Sequence, residues 1–269
     1  MHRIDRVAAG SLVALAALLL LPPRAQAQTD YYNTDAGRPI QIEDAYAIER
    51  RAVELQVAPV RLERALGGTY RWGLEPEIAV GVLPRTQVEI RFPLGFLDQP
   101  GGSTSSGLAG IDLSALYNLN AETRIPALAI AGDVLLPVGS LAPDRAYPSL
   151  RGIATRTFPS ARVHLNGQYT FGEELAAGAL PATLELSRWL AGVAVDHTFP
   201  LQSWLLTAEV FAQQPLVEDE DVEWVTGGGT RFQLSPRLAA DAGLGYRMTG
   251  SDQGWYVTFG AAYALGLPW

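Results

Sequence analysis

The sequence predicts an all-β fold: a transmembrane antiparallel β-barrel of about twelve strands, with short periplasmic turns at one end and longer extracellular loops at the other. Three observations predict it. An export signal opens the chain, strict apolar/polar alternation recurs in segment after segment, and the connections come in two alternating lengths. A soluble two-sheet sandwich also alternates, but its polar faces are outermost and nothing sorts its connections by end.

Residues 7–23 form the one long apolar run of the chain. The basic stretch 1–6 precedes it and Ala25-Gln26-Ala27 follows it. A positive n-region, an apolar h-region and a small-residue site make residues 1–27 a secretory signal peptide cleaved after Ala27. Pro22 and Pro23 interrupt the run and argue against an uncleaved anchor helix. Residues 28–46 have no strand parity and are rich in Asp, Asn and Gly. They read as a periplasmic N-terminal tail in preference to a small plug folded into the lumen, which leaves residues 47–269 as the barrel.

Successive side chains of a strand point to opposite faces, so parity separates two walls. Tyr70, Trp72, Leu74, Pro76, Ile78 and Val80 alternate with Arg71, Gly73, Glu75, Glu77, Ala79 and Gly81. Val88, Ile90, Phe92, Leu94 and Phe96 then alternate with Gln87, Glu89, Arg91, Pro93 and Gly95, and Ile111, Leu113, Ala115, Tyr117 and Leu119 with Gly110, Asp112, Ser114, Leu116 and Asn118. The clearest segment sets Val163, Leu165, Tyr169 and Phe171 against Arg162, His164, Asn166, Gln168 and Thr170. Leu238, Ala240, Ala242, Leu244 and Tyr246 repeat the pattern against Ala239, Asp241, Gly243, Gly245 and Arg247. Only every second residue of a lipid-facing strand must be apolar, so a chain that is 48% apolar keeps a mean hydropathy of only +0.09.

Short connections fall at 83–86, 120–123, 159–160, 200–203 and 235–237. Between them lie longer ones, near 59–69, 98–106, 138–150, 173–185 and 215–222, and a shorter one at 250–253. An even strand count returns both termini to the periplasmic side. The last segment carries Trp255, Val257, Phe259, Ala261, Tyr263, Leu265, Leu267 and Trp269 on one parity without a polar interruption. Tyr263, Leu265, Leu267 and Trp269 therefore resemble the C-terminal signal by which barrel assembly machinery recognises outer-membrane strands. Aromatics such as Tyr70, Trp72, Trp189, Trp204 and Trp224 collect toward segment ends, where interfacial girdles belong.

Charge and composition exclude several classes. The chain has 20 basic and 28 acidic residues, every basic one an arginine, and loss of Arg3, Arg6, Arg24 and Asp5 with the signal takes the net charge from −8 to −10. Nucleic acid is not an expected partner. With no cysteine there is neither a disulfide framework nor thiol chemistry. With His2 lost with the signal, no cofactor or metal site is expected around the two remaining histidines. The acidic run Glu218-Asp219-Glu220-Asp221 offers oxygen ligands for divalent cations that bridge lipopolysaccharide phosphates, but EF-hand spacing is missing and a solvated acidic loop is the preferred reading.

Residues 37–56 (GRPIQIEDAYAIERRAVELQ), 73–94 (GLEPEIAVGVLPRTQVEIRFPL), 135–158 (LLPVGSLAPDRAYPSLRGIATRTF) and 162–172 (RVHLNGQYTFG) resemble the outer-membrane family labelled "putative meta-pathway of phenol degradation". The resemblance implies an outer-membrane barrel of the transporter kind, associated with breakdown of aromatic compounds. It brings no site motif, and no functional residue is carried over from it.

Parity alone assigns the lumen: Glu54, Arg71, Glu75, Glu77, Glu89, Arg91, Asp112, Asp133, Arg162, His164, Asp196, Glu209, Arg231, Asp241 and Arg247. Acids outnumber bases there. Such a wall suits a polar pore that biases the passage of small solutes, and it equally suits a static ion-pair network filling a narrow barrel. The expected function is passive passage of small solutes, hydrophobic or aromatic ones by the resemblance, across a membrane of lipid and lipopolysaccharide. A structural or adhesive barrel with a blocked lumen is the alternative. An outer-membrane lipid hydrolase built on His164 and Ser114 would be a third, but no motif joins those two residues, so no catalytic residue is assigned.

Overall fold

The computed structural model describes residues 33–56, 60–99, 101–102, 104–179 and 186–266. The expected signal peptide, and Leu267 and Trp269 of the assembly signal, lie outside the described residues. Eight segments open the barrel as four interrupted strands: β1 (Ala52–Gln56) and β2 (Val60–Ala65), β3 (Tyr70–Leu74) and β4 (Glu77–Leu83), β5 (Thr86–Arg91) and β6 (Leu94–Asp98), β7 (Ser105–Leu108) and β8 (Ile111–Asn120). Eight unbroken strands follow: β9 (Ala127–Leu136), β10 (Tyr147–Phe158), β11 (Ala161–Thr170), β12 (Ser187–Thr198), β13 (Trp204–Pro215), β14 (Glu223–Ser235), β15 (Leu238–Arg247) and β16 (Gly254–Gly266). Each pairs antiparallel with its neighbours. The twelve-strand barrel closes where β16 runs beside both β1 and β2, with Ala52 opposite Gly266 and Val60 opposite Phe259. Closure leaves the sheet without an edge, which an apolar solvent requires.

The interruptions have local causes. Pro76 and Pro93 sit in two of them, and Gly110, at φ +131°, follows Ala109 in a third. Proline has no N–H for the ladder, so a strand breaks there. Single hydrogen bonds carry the wall across the gaps, Phe92 N–H donating to the Pro76 carbonyl (3.0 Å) and Ala109 N–H to that of Pro93 (2.7 Å).

Parity holds around the barrel. Leu165, Tyr169, Val195, Leu244 and Phe259 are exposed on the outer face, while His164, Asn166, Gln168 and Thr170 of β11 are buried inside. Tyr117, Phe158, Phe199 and Trp204 mark the outer face toward the short turns. Tyr70, Trp72, Phe171, Trp224 and Trp255 mark it toward the longer loops. The stacking of Trp72 on Phe96 (5.6 Å between ring centres) and the tilted contact of Tyr246 with Trp255 (4.7 Å) belong to the second girdle.

Two expectations are corrected. The stretch 59–69, expected as a long loop, contains β2 and then a tight turn at 66–69, where Gly68 N–H donates to the Ala65 carbonyl (3.0 Å). Val60-Arg61-Leu62-Glu63 keeps the two-residue period, and the Gly67-Gly68 turn beside it hid that strand. The second concerns the N-terminal segment, for which a periplasmic tail was the preferred expectation. Its described part, residues 33–46, lies inside the barrel. Ile40 and Ile42 are buried against Leu190, Ala194, Phe211, Val225 and Tyr256. Ala45, with Tyr46 and Ala47 beside it, packs on Leu116, Ala127, Ala129, Ala131 and Ile153. Lack of strand parity said only that the segment joins no ladder; it carried no information on where the segment packs.

Candidate functional site

The segment enters from the turn end and returns there. Its Asn33 carbonyl accepts from Arg231 in the turn-end half of β14, residues 41–42 reach Glu209 midway along β13, and the Tyr46 hydroxyl comes back to Glu122 in the 121–126 turn (3.3 Å). The strands it passes leave it room. A Cβ on Gly243 would stand 2.3 Å from the Pro39 carbonyl oxygen, and one on Gly260 would stand 2.7 Å from Arg38 Cδ.

The interior charges fall into connected groups. At the turn end Arg38 lies among Asp35 (3.1 Å), Glu54 (3.5 Å) and Asp241 (3.5 Å), and Arg231 shares Asp35 (2.9 Å) and Asp241 (3.7 Å). Farther round, Arg162 grips Asp196 with two donors (2.9 and 2.7 Å), and His164 Nε2 meets the same carboxylate at 3.0 Å. Midway up, Arg91 is surrounded by Glu77 (3.8 Å), Glu89 (3.8 Å), Asp112 (3.2 Å) and Asp133 (3.5 Å), while Arg151 holds Glu43 (2.9 Å). Glu209 accepts the Gln41 and Ile42 N–H groups (2.8 and 2.9 Å) and the Tyr256 hydroxyl (3.3 Å). At the loop end Arg71 bridges Glu63 and Asp252 (both 2.9 Å), and Arg247 contacts Glu223 (3.3 Å). The Arg61 guanidinium lies 3.8 Å over the Tyr256 ring. Buried charge is tolerable only when it is paired and hydrogen-bonded, and sharing each arginine among several acids meets that demand.

Of the residues that parity places in the lumen, Glu54, Glu77, Arg91, Asp112, His164, Asp196, Glu209, Arg231, Asp241 and Arg247 are buried; Arg71, Glu89, Asp133 and Arg162 are part-buried in the same groups. Glu75 lies in the break between β3 and β4, also part-buried. Tyr263 and Leu265 alternate on β16 with the buried Ala262 and Ala264. Sequence reasoning missed Arg61 and Glu63, hidden in the supposed loop, and Arg151, Glu223 and Asp252 at its loop borders. It also missed Asp35, Arg38, Glu43 and Asp44, because a segment outside the ladder has no parity to read. The signal available was alternation from Val60 to Glu63. Ser114 and His164 are not brought together: the Ser114 hydroxyl donates to Glu89 (2.7 Å), and His164 Nδ1 meets Thr155 Oγ1 (2.9 Å). Among the described residues no group of three or more His, Cys, Asp or Glu could hold a metal.

A closed antiparallel barrel of twelve strands, apolar outside, girdled by aromatics and charged within, is an outer-membrane β-barrel, and its place is the bacterial outer membrane. The chain belongs to the family described as "Putative MetA-pathway of phenol degradation", whose model matches residues 69–265. In fold it is similar to the COG4313 outer membrane channel from Pseudomonas putida F1, at 12% identity over 82% of this chain and 98% of that one, with a TM-score of 0.55. It is also similar to the NanC porin, at 8% identity over 78% of this chain and 100% of that one, with a TM-score of 0.53. No curated protein matches the sequence.

Proposed function

We propose that this barrel is a channel for passive, cation-preferring passage of small solutes. The observation that carries the reading is the interior, where carboxylates outnumber guanidiniums in groups that run from the turn end to the loop end. Glu77 Oε1 and the Thr207 hydroxyl are buried without a hydrogen-bond partner among the described residues. Buried polar groups of that kind are served by solvent, in keeping with a wet lumen. Aromatic solutes enter the proposal through the family's description, which names phenol degradation. The fold's likeness to a channel and a porin supports the coarser reading.

Planar-bilayer recording of the refolded protein tests it. Cation preference is expected, and Glu89→Gln should weaken it; the absence of conductance and of solute uptake into liposomes would overturn the channel. Uptake of a panel of aromatics against sugars of equal size then tests the solute class. A second reading, a barrel whose lumen stays closed and whose loops do the work, is favoured by one observation, the presence of residues 33–46 inside the barrel. The same recordings separate the two.

A further inference from the structure

We propose that residues 33–46 are a gate across the turn-end half of the lumen, and that a hydrogen-bonded ring through Thr155, His164, Asp196 and Arg162 is its latch. The proposal rests on the channel reading and adds its regulation. The ring closes on the segment from two sides. Ala45 N–H donates to Thr155 Oγ1 (3.0 Å), which meets His164 Nδ1 (2.9 Å); His164 Nε2 meets Asp196 (3.0 Å), which takes both donors of Arg162; and Arg162 Nη1 returns to Asp44 at 3.6 Å. Its valences agree. With Asp196 accepting at Nε2–H, Nδ1 is the acceptor for the Thr155 hydroxyl, and the Thr155 oxygen is left to accept from Ala45.

Three features make the segment a separable piece and not a permanent core. Within the barrel its backbone bonds the wall through side chains, with Gln41 and Ile42 on Glu209 and Glu43 on Asn166 (3.0 Å), so no ladder bond breaks when it leaves. The barrel closes through β1, β2 and β16 without it. Its two limbs are tied to each other, Asp44 N–H donating to the Thr34 carbonyl (3.2 Å) and Thr34 N–H to Asp44 Oδ2 (3.3 Å), so it can move as one body toward the turn-end mouth it came from.

Two full-length variants test the gate in planar bilayers, with heat-modifiable migration on gels as the check of folding. Thr155→Val removes the latch hydroxyl at constant shape and should raise open probability about fivefold, the worth of one intramolecular hydrogen bond. Pro39→Cys/Thr258→Cys joins segment to wall where the Thr258 hydroxyl donates to the Pro39 carbonyl (3.0 Å), in a chain with no other cysteine. Bridged by oxidation or a short bis-maleimide, it should close the channel, and reduction of the disulfide should reopen it. Equal conductance of bridged and reduced protein, with bridging verified by gel shift, would overturn the gate while leaving the channel standing. Silence of every form would overturn the channel and the gate with it. A third readout needs no current: a thiol at Ile42→Cys should react with maleimide faster when Thr155→Val is added, and equal rates would count against the latch.

Discussion

At the scale of single residues, Arg91 shows what the interior asks of one side chain. Four carboxylates share its guanidinium, and its removal sets their like charges against each other. Arg91→Met is expected to cost about 3–5 kcal/mol, the usual penalty for breaking a buried pair from one side, read from urea unfolding in lipid vesicles. Glu122, in the turn outside the membrane, gives the pH dependence. Burial pushes its carboxyl up, but the Thr157 N–H (2.8 Å) and hydroxyl (2.7 Å), the Tyr46 hydroxyl and Arg156 outweigh it and hold the group below the ordinary carboxylate range. A lowered folded-state value contributes stability above the unfolded pKa of roughly 4.3, and that stability is lost as pH falls through the folded value. Glu122→Gln should therefore lower the urea midpoint at pH 7, and the difference from the parent protein should shrink as the pH is taken down below the ordinary carboxylate range.

At the scale of strands, the two faces predict opposite responses to the same substitution. Leu165 is 55% exposed on the outer face of β11, directly beside the buried His164 and Asn166. Leu165→Glu puts a charge into hydrocarbon near mid-height and is expected to cost up to about 2 kcal/mol in bilayer unfolding, whereas Gln168→Glu, facing the lumen where Gln168 already accepts from Arg151 (3.0 Å), should cost less and shift ion selectivity instead. Strand β11 was fully legible because its parity is unbroken for ten residues. Strand β2 was not, since four residues of alternation, broken at Arg64 and followed by Gly67-Gly68, look like loop when read locally. The breaks between β3 and β4 and between β5 and β6 were overlooked for the converse reason: Pro76 and Pro93 preserve the period of two while removing the N–H that pairing needs.

At the scale of the whole molecule, closure and the lumen segment set the behaviour. With β16 paired to both β1 and β2, the barrel should resist detergent at room temperature and migrate differently on gels before and after boiling, in the outer-membrane fraction; a soluble protein without heat modification would contradict the fold. The candidate site is a property of this scale too. Arg38 meets Asp241 and Glu54 from strands far apart in the chain, and Ile42 N–H meets Glu209 across 167 positions.

Alternation and turn length determined the fold class and the two faces of the strands, because side-chain direction in a strand is a local property of the backbone. Only the tertiary structure decided where residues 33–46 go and how the interior charges are grouped. Those depend on contacts between segments distant in sequence, with apolar anchors at Ile40, Ile42 and Ala45 and with glycines on the facing strands that leave the segment its space. No local period encodes either one.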